Sequence, residues 1–201
     1  MKNIVLEVGV NHGQDTLRLH QTHKAEVHGF EPVIDLMPKL RGLFAAYPNI
    51  HIHNCAVDIN DGEATYNIQD RKVGGFGCSS LFKFSEDIHE TWAARKDFNF
   101  SDAEKVKTTR LDTFLDTLEF DKISYLHCDA QGSDMNVLRS VGKYVDRLQA
   151  GQVEVAYTTE LYSGTDNRHD VAVAWLQERG FETKVSPHKC SHEADVFFWR
   201  A

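Results

Sequence analysis

The chain has 201 residues, 41 % of them apolar, and this length and composition predict one domain, residues 1–201, with a single sizeable core. Acidic residues outnumber basic ones, 30 to 22, and no block of Lys and Arg interrupts the formal charge of −8, so a nucleic-acid partner is not expected. No apolar run approaches the roughly 20 residues that span a bilayer, so we expect no membrane insertion.

The N-terminal segment and the cysteines favour a reducing compartment. Glu7 interrupts the early apolar run "MKNIVLEVG", which is typical of a core strand and not of a secretory signal. Cys55, Cys78, Cys128 and Cys190 are widely spaced and form no CxxC pair, so free thiols fit better than a disulfide framework. We therefore expect a cytoplasmic protein. The sequence indicates no oligomeric state.

The first part of the chain alternates apolar strands with helical segments. The pattern predicts a strand in "NIVLEVGV", a short helix in "GQDTLRLHQTH", and a second strand in "AEVHGFEP", which Pro32 ends. Apolar residues recur at helical spacing in "VIDLMPKLRGLFAAYP", and Pro38 indicates where that helix begins. A third strand is predicted in "IHIHNCAVDI", with "DGEATYNIQ" paired to it as a hairpin through the Asp61–Gly62 turn.

The second part of the chain repeats this alternation. A strand running into a helix is predicted in "VKTTRLDTFLDTL", and the fourth and fifth core strands in "KISYLHCDAQG" and "GQVEVAYTTELY", with the helix "SDMNVLRSVGKYV" between them. An amphipathic helix follows in "NRHDVAVAWLQERG", and Gly180 ends it. The segments "FETKVS" and "ADVFFWR" then predict a terminal antiparallel pair.

This order predicts an α/β fold. Strands alternating with helices favour a mostly parallel sheet with helices on both faces. The last two strands, with no helix between them, favour an antiparallel C-terminal hairpin at the sheet edge. Residues 70–107 form a Gly- and Ser-rich and then strongly charged segment that interrupts the pattern, and such long irregular segments are often functional.

The candidate ligand residues follow the predicted strands, because ligands of such sheets bind beyond the carboxyl ends of the strands. In chain order these residues are Glu7, Gly9, Asn11 and Gly13 (first strand), Glu31 and Pro32 (second), Ala56 and Val57 (third), Asp129 (fourth) and Glu154 (fifth).

The first loop and the acid after the second strand predict a nucleoside ligand. Gly9 and Gly13 allow the backbone to approach a ligand closely. Glu31, about 20 residues further, stands where a carboxylate can accept hydrogen bonds from both ribose hydroxyls. The loop lacks the G-x-G-x-x-G order of pyrophosphate sites, and an acid near the start of the next helix would repel phosphate. S-adenosylmethionine has a ribose and no phosphate, and its ammonium group could be held by Glu7 or Asp129.

The sequence resembles the FkbM family of S-adenosylmethionine-dependent methyltransferases. The segments that carry the resemblance are "LEVGVNHGQDT", "VHGFEP", "NCAVDINDGEATY", "TTRLDTFL", "YLHCDAQGSDMNVLRS", "VEVAYTTELY" and "EADVFFWR", and their order and spacing extend through almost the whole chain. The resemblance implies a class I methyltransferase fold, Rossmann-like with seven strands, and usually methyl transfer to oxygen, with sugar or polyketide hydroxyls as typical acceptors.

Two positions depart from the family pattern. Family members usually begin the first motif with Asp, where this chain has Glu7, and that exchange preserves the charge. They often carry Glu in the motif after the fourth strand, where this chain has Gln131 and then Asp134. The second exchange removes one carboxylate, which puts in doubt any role that needs a charge at position 131.

Methyl transfer to a hydroxyl needs alignment of the acceptor and removal of its proton. Asp129 is the leading candidate for the base, Glu154 the second, and His127 or His12 the third. Alternatively, Asp129 with another strand-end acid could hold a divalent metal that lowers the pKa of the hydroxyl. The sequence leaves base and metal open.

A zinc site is a weaker possibility at "HKCSH", which contains His188, Cys190 and His192.

The irregular segment is the candidate acceptor-binding region. Its glycines predict mobility, its Ser79 and Ser80 hydroxyls could donate to the cofactor or a sugar, and its aromatic side chains could stack on a sugar face. The glycines are Gly74, Gly75 and Gly77, and the aromatic residues are Trp92, Phe98 and Phe100. Alternatively, the segment is an insertion with its own small core.

We therefore expect an O-methyltransferase acting on a hydroxyl of a sugar or glycan. Two alternatives are a methyltransferase of another small-molecule hydroxyl and an inactive cofactor-binding module that serves in interactions. The tetrapeptide "DAQG" stands after the fourth strand in place of an N-P-P-Y type motif, which argues against methylation of amino groups.

Overall fold

The structure is a computed structural model that describes residues 2–72, 75–93, 95, 97–189 and 192–201. Its strands are β1 (Asn3–Val8), β2 (Glu26–Phe30), β3 (Ile50–His53), β4 (Ala56–Val57), β5 (Gly62–Gln69), β6 (Lys83–Phe84), β7 (Phe100–Thr109), β8 (Lys122–Cys128), β9 (Ala150–Ala156), β10 (Tyr162–Ser163), β11 (Glu182–Pro187) and β12 (Glu193–Trp199).

The α-helices are α1 (Gln14–His23), α2 (Met37–Phe44), α3 (Ile88–Thr91), α4 (Leu111–Leu115), α5 (Asp134–Ser140) and α6 (His169–Gln177), and Ile34–Leu36 and Gly142–Arg147 form 3₁₀ turns. Helix α2 begins one residue before Pro38, as predicted, because proline is tolerated in the first turn, where its missing N–H has no intrahelical acceptor. Among the described residues, no helix is long and apolar enough to cross a membrane.

The main sheet has seven strands in the order β11-β12-β9-β8-β1-β2-β3. Strands β1, β2, β3, β8 and β9 pair in parallel, and β12 runs antiparallel to both β9 and β11. This arrangement confirms the predicted mostly parallel sheet and its antiparallel C-terminal hairpin. Strand β1 lies between β8 and β2, so the loop after it lies beside the ends of both strands.

Helices cover both faces of the sheet. Alternate side chains of β1 point to opposite faces and so pack against different helices. Ile4, Leu6 and Val8 of β1 belong to a core cluster with residues of α4, α5 and α6. Val5, between them, belongs to a second cluster with residues of α1 and α2. The near-continuous burial of β1 is what a parallel strand between two helix layers requires.

The predicted hairpin between the third strand and residues 61–69 is wrong. Strand β5 pairs antiparallel with β7 along its whole length, and β4 adds to the other edge of β7 in parallel. The Asp61 carboxylate accepts hydrogen bonds from the Arg110 backbone N–H (2.8 Å) and the Thr113 hydroxyl (2.8 Å), which ties the turn to the start of α4. The turn therefore directs β5 toward β7 and away from β3.

The segment after β5 is more ordered than its composition predicts. Strand β7 begins at Phe100, so the irregular part ends near residue 99 and not 107. Strand β6 pairs with β10, and a third core cluster forms from Cys78, Ile88, Trp92, Phe98, Leu161 and Tyr162. The segment therefore has a small core, as the alternative expected, but it shares this core with Leu161 and Tyr162 from the stretch after β9.

The expectation that the aromatic residues of this segment present free faces to a sugar is wrong. Trp92 is 7 % exposed and Phe98 is 2 % exposed, because both pack inside the third cluster. The ring of Phe100 stacks on Phe84, with 4.1 Å between the centroids.

The β2–β3 edge carries a stack of imidazoles. The His28 ring lies between those of His51 and His53, with centroids 5.0 and 5.4 Å away, and its Nδ1 is 3.2 Å from Nε2 of His53. Burial lowers the pKa of His28 to about 4, and the neighbouring His53 adds to this effect. His28, the buried member of the stack, is therefore uncharged at neutral pH.

Candidate functional site

The loop after β1 is shaped by close approach of two backbone segments. Gly9 has φ +89°, and a Cβ built on it would lie 2.0 Å from the backbone oxygen of Asp129. The Gly9 and Val10 N–H groups donate to the Phe30 carbonyl at 3.1 and 3.3 Å. Only glycine allows the ends of β1, β2 and β8 to meet this closely.

Gly13 serves helix packing. It precedes α1 with φ +82°, and a Cβ at this position would lie 2.7 Å from the Phe44 ring of α2. Its side of the loop is therefore closed by a side chain, whereas Gly9 and Asn11 border a cavity.

Glu31 is fixed at the end of β2 by two backbone donors. Its Oε2 accepts the Asn11 N–H at 2.7 Å and its Oε1 accepts the Val33 N–H at 2.8 Å. The residue is 4 % exposed, and burial raises its pKa to about 7 although both hydrogen bonds act to lower it. Each carboxylate oxygen has a second lone pair, so capacity to accept further hydrogen bonds remains.

Glu7 and His127 lie side by side on adjacent strands, beneath the loop. Both are buried, at 0 % and 6 % exposure. Burial raises the pKa of Glu7 to about 8 and lowers the pKa of His127. Neither residue is among those that border the described cavities at this sheet edge.

Asp129 and Glu154 are joined by the side chain of Gln131. The Gln131 amide Nε2 donates to Oδ1 of Asp129 and, at 3.1 Å, to Oε2 of Glu154. Its Oε1 accepts the Tyr162 hydroxyl at 2.7 Å, and its backbone oxygen accepts the Ser80 hydroxyl at 2.6 Å. Gln131 itself is left-handed, with φ 49°. The two acids are therefore held together by an amide that has its other polar groups satisfied.

The two predicted serines bond within the protein. Ser79 Oγ accepts the Gln69 N–H at 2.9 Å, and Ser80 Oγ accepts the Phe82 N–H at 2.9 Å in addition to its bond to Gln131. Ser79 still borders a cavity, together with Glu31.

An apolar pocket and a polar pocket, together called the donor-side pockets, border Gly9 and Asp129 at the ends of β1 and β8. The apolar pocket is lined by Gly9, Phe30, Pro32, Ala56, Val57, Tyr66, Asp129 and Ala130 among others. The polar pocket shares Gly9, Tyr66 and Asp129 with it and adds Asn11, Glu31, Ser79 and Gln131. The two pockets therefore adjoin, and they collect most of the residues predicted from the strand ends.

A larger cavity of about 440 Å³ lies on the other side of Gln131. It is lined by Asn11, His12, Gln14, Gln69, Gly75, Gly77, Cys78, Arg95, Asp97, Phe98, Gln131, Glu154, Leu161 and Glu193. Burial and repulsion from Asp129 raise the pKa values of both Glu154 and Glu193. Gln131 and Asn11 border both this cavity and the polar pocket, so the two spaces meet at these side chains.

The two histidines of "HKCSH", the weaker possibility of a zinc site, lie apart in the structure. His188 lies near Glu154, with Nδ1 3.8 Å from Oε1, whereas His192 lies against Trp92 with its Nδ1 3.3 Å from the Thr158 hydroxyl. Cys190 and Gly74 lie outside the described residues.

Sequence reasoning missed Tyr66 and Glu193. The predicted hairpin places Tyr66 away from the site, yet Tyr66 borders both donor-side pockets and its hydroxyl donates to the Ser79 carbonyl at 2.8 Å. Glu193 begins β12, and the first residue of an antiparallel strand lies at the same edge as the last residues of the parallel strands. The acid at the start of "EADVFFWR" was therefore a signal available in the sequence.

The strand order, with β12 reversed and cavities at the carboxyl edge, defines a class I methyltransferase fold. The sequence model for "Methyltransferase FkbM domain" matches residues 7–183, and the chain belongs to this family of S-adenosylmethionine-dependent methyltransferases. No curated protein matches the chain.

Solved methyltransferase structures share this fold at low sequence identity. An rRNA methylase from Streptococcus thermophilus aligns with a TM-score of 0.52 and 11 % identity, over 99 % of this chain and 87 % of that one. SMU.1697c from Streptococcus mutans, in complex with S-adenosylhomocysteine, aligns with a TM-score of 0.53 and 12 % identity, over 98 % and 88 %. The N-terminal domain of EvdMO1 with S-adenosylhomocysteine bound aligns with a TM-score of 0.52 and 12 % identity, over 100 % and 74 %.

Proposed function

We propose that the protein is an O-methyltransferase that transfers the methyl group of S-adenosylmethionine to a hydroxyl of a sugar or glycan. The observation that carries this proposal is the bridged pair of Asp129 and Glu154, placed where the donor-side pockets meet the larger cavity. The free thiols of Cys55, Cys78 and Cys128 support a cytoplasmic location.

The donor-side pockets fit the parts of S-adenosylmethionine. Pro32, Ala56 and Val57 offer an apolar surface for the adenine ring, and Glu31 has lone pairs left for the ribose hydroxyls. The Asn11 side-chain oxygen is buried and has no hydrogen-bond partner among the described residues, so it can accept a bond from a ligand. Gly9 contributes by allowing the strand ends to meet.

Asp129 is the better of the two candidates for contact with the cofactor's ammonium group. Asp129 borders both pockets, whereas Glu7 lies beneath them with a pKa of about 8. A carboxyl group that is protonated at neutral pH gives little attraction to a cation. We assign Glu7 a supporting position under the loop, Gly13 a packing role, and Ser79 and Ser80 the positioning of Tyr66 and Gln131.

When bound, S-adenosylmethionine supplies a methyl group already activated on a sulfonium, so transfer to a hydroxyl releases S-adenosylhomocysteine and one proton. We assign Asp129 as the acceptor of that proton, with Glu154 as the alternative. Gln131 holds both carboxylates in place by donating to each. His127, buried away from the cavities, is a weaker candidate than either.

The larger cavity suits a neutral polyhydroxylated acceptor. Among the described residues, its wall combines the amides of Asn11, Gln69 and Gln131 with the carboxylates of Glu154 and Glu193 and the guanidinium of Arg95. Such a lining offers hydrogen bonds to hydroxyls, and the net acidity of −8 disfavours polyanions.

Calorimetry with S-adenosylhomocysteine, followed by a screen of methyl transfer onto sugars and oligosaccharides, tests the proposal. With an acceptor in hand, we expect Asp129→Asn to lower kcat by about 10²- to 10⁴-fold, the usual contribution of a general base. The matched control is Asp146→Asn, since the Asp146 side chain is 92 % exposed and distant from the pair. Failure to bind S-adenosylhomocysteine contradicts the proposal, and an unchanged kcat in Asp129→Asn contradicts the assignment of Asp129 as the base.

A further inference from the structure

His188 brings a potential metal ligand to the acid pair. It follows β11, and the start of β12 returns beside it, where the His188 N–H donates to the Glu193 carbonyl at 2.8 Å. Single ligand atoms of Glu154, His188 and Glu193 all lie within 4.8 Å of one another. These residues come from two neighbouring strands and the loop between β11 and β12, so the arrangement is a product of the fold.

We propose that Glu154, His188 and Glu193 bind one first-row divalent cation at the edge of the larger cavity. Imidazole and carboxylate together suit ions such as Mn²⁺ and Zn²⁺. Two protein atoms that each lie about 2.1 Å from one ion are about 3 to 4 Å apart, depending on the angle. The 3.8 Å between His188 Nδ1 and Glu154 Oε1 is in this range and exceeds a hydrogen bond.

A carboxylate behind the imidazole supports this proposal independently of the acids in front of it. His188 Nε2 lies 3.2 Å from Oδ2 of Asp195, and Oδ1 of Asp195 accepts the Gln152 amide at 2.9 Å. An imidazole that donates Nε2–H to Asp195 presents the lone pair of Nδ1 toward Glu154. Histidines that bind metals commonly donate their other ring N–H to a carboxylate in this way.

Glu154 is oriented in the same manner. Its Oε2 accepts the Gln131 amide at 3.1 Å, which leaves Oε1 on the side of His188. Thus two of the three ligands have a second residue that sets the direction of the coordinating atom.

The charge balance of the cavity also favours a cation. The Gln131 amide holds Asp129 beside Glu154, and a carboxylate oxygen of Glu193 lies within 4.8 Å of one of Glu154, so three acids are gathered here. Arg95 borders the same cavity, but its guanidinium is already paired with Asp97 at 2.7 and 2.6 Å. A divalent ion would relieve the repulsion among the carboxylates.

The role of the ion rests on the proposed methyl transfer. A cation held by Glu154, His188 and Glu193 would lower the pKa of an acceptor hydroxyl, and Asp129 would remain the group that takes the proton. Metal binding itself does not depend on that reaction and can be measured without an acceptor.

The test is a titration of the chelator-treated protein with Mn²⁺, followed by electron paramagnetic resonance, and with Zn²⁺, followed by calorimetry. We expect one ion per chain and at least tenfold weaker binding in His188→Gln and in Glu193→Gln. Asp195→Asn should weaken binding about 10- to 100-fold, since it removes the carboxylate that orients His188. His192→Gln, in the same loop, is the matched control and should retain the affinity.

The proposal is overturned if neither ion binds, or if His188→Gln and Glu193→Gln bind as tightly as the unmodified chain. It is also overturned if His192→Gln loses as much affinity as His188→Gln. Circular dichroism of each variant verifies that it is folded. Titration of the same samples with S-adenosylhomocysteine tests the proposed function separately, because the residues proposed to bind this cofactor lie on the other side of Gln131 from the metal site.

Discussion

Replacing Glu7 by Gln tests whether the first acid of the chain is held in an uncharged form. Glu7 is fully buried, and burial raises its pKa from 4.5 to about 8. The folded protein therefore retains a proton on Glu7 at pH values where the unfolded chain has lost it. Stability contributed by this group is fully present at low pH and is lost as the pH rises.

The size of this effect follows from the two pKa values. A shift of one unit corresponds to about 1.4 kcal/mol, so the difference between about 8 and 4.5 sets an upper limit of about 5 kcal/mol. Between pH 5 and pH 9 the change amounts to about 4 kcal/mol. Glutamine keeps the shape of the protonated acid and has no proton to lose, so Glu7→Gln should lack this part of the pH dependence.

Urea unfolding followed by tryptophan fluorescence at pH 5, 7 and 9 measures the free energy of unfolding of both proteins. We expect the free energy of unfolding of Glu7→Gln to rise relative to that of the unmodified chain as the pH rises. The control Glu63→Gln, at an exposed position, should show the same pH dependence as the unmodified chain. Parallel curves for Glu7→Gln and the unmodified chain would refute an uncharged Glu7.

Two further substitutions probe the loop and the imidazole stack. Gly9→Ala should destabilise the fold by about 3 kcal/mol or more and abolish S-adenosylhomocysteine binding, because its Cβ would overlap the Asp129 carbonyl at a φ of +89°. The control Gly42→Ala meets no atom within 4 Å, and calorimetry together with urea unfolding compares the two. As the pH falls from 7.5 to 4.5, we expect His28 to lower the free energy of unfolding of the unmodified chain by about 2.5 kcal/mol. His28→Gln should not show this decrease. The sign follows because the unfolded imidazole takes up its proton below about 6.5 while the buried one remains neutral to about 4. If the free energy of unfolding, measured with urea, falls equally in both proteins over this pH range, the prediction for His28 is contradicted.

The main sheet could be predicted because its information is local. The runs around Val5 and Leu126 are short, apolar and bounded by glycine or polar residues, and a parallel order follows from the helices between them. The pairing of β5 could not be predicted in this way. Its partner β7 begins 31 residues after β5 ends, and Asp61 directs it there through contacts with residues 49 to 52 positions away.

The candidate site likewise has residues that the sequence could place and residues that it could not. Glu31 and Asp129 could be placed from strand topology alone, since both follow core strands. The function of Gln131 could not, because it depends on a left-handed backbone and on a side chain that reaches two acids at once. The apparent loss of a carboxylate at position 131 is in fact the gain of a donor between Asp129 and Glu154.

The pairing of β6 with β10 limits which segments can be exchanged between related proteins. This short ladder joins residues 83–84 to residues 162–163, and the third core cluster unites the same two stretches. A chimera that imports another relative's segment between β5 and β7 must therefore import the stretch after β9 as well. If the larger cavity binds the acceptor as proposed, we expect a joint swap of these two pieces, with β1, β2 and β8 unaltered, to change the acceptor preference.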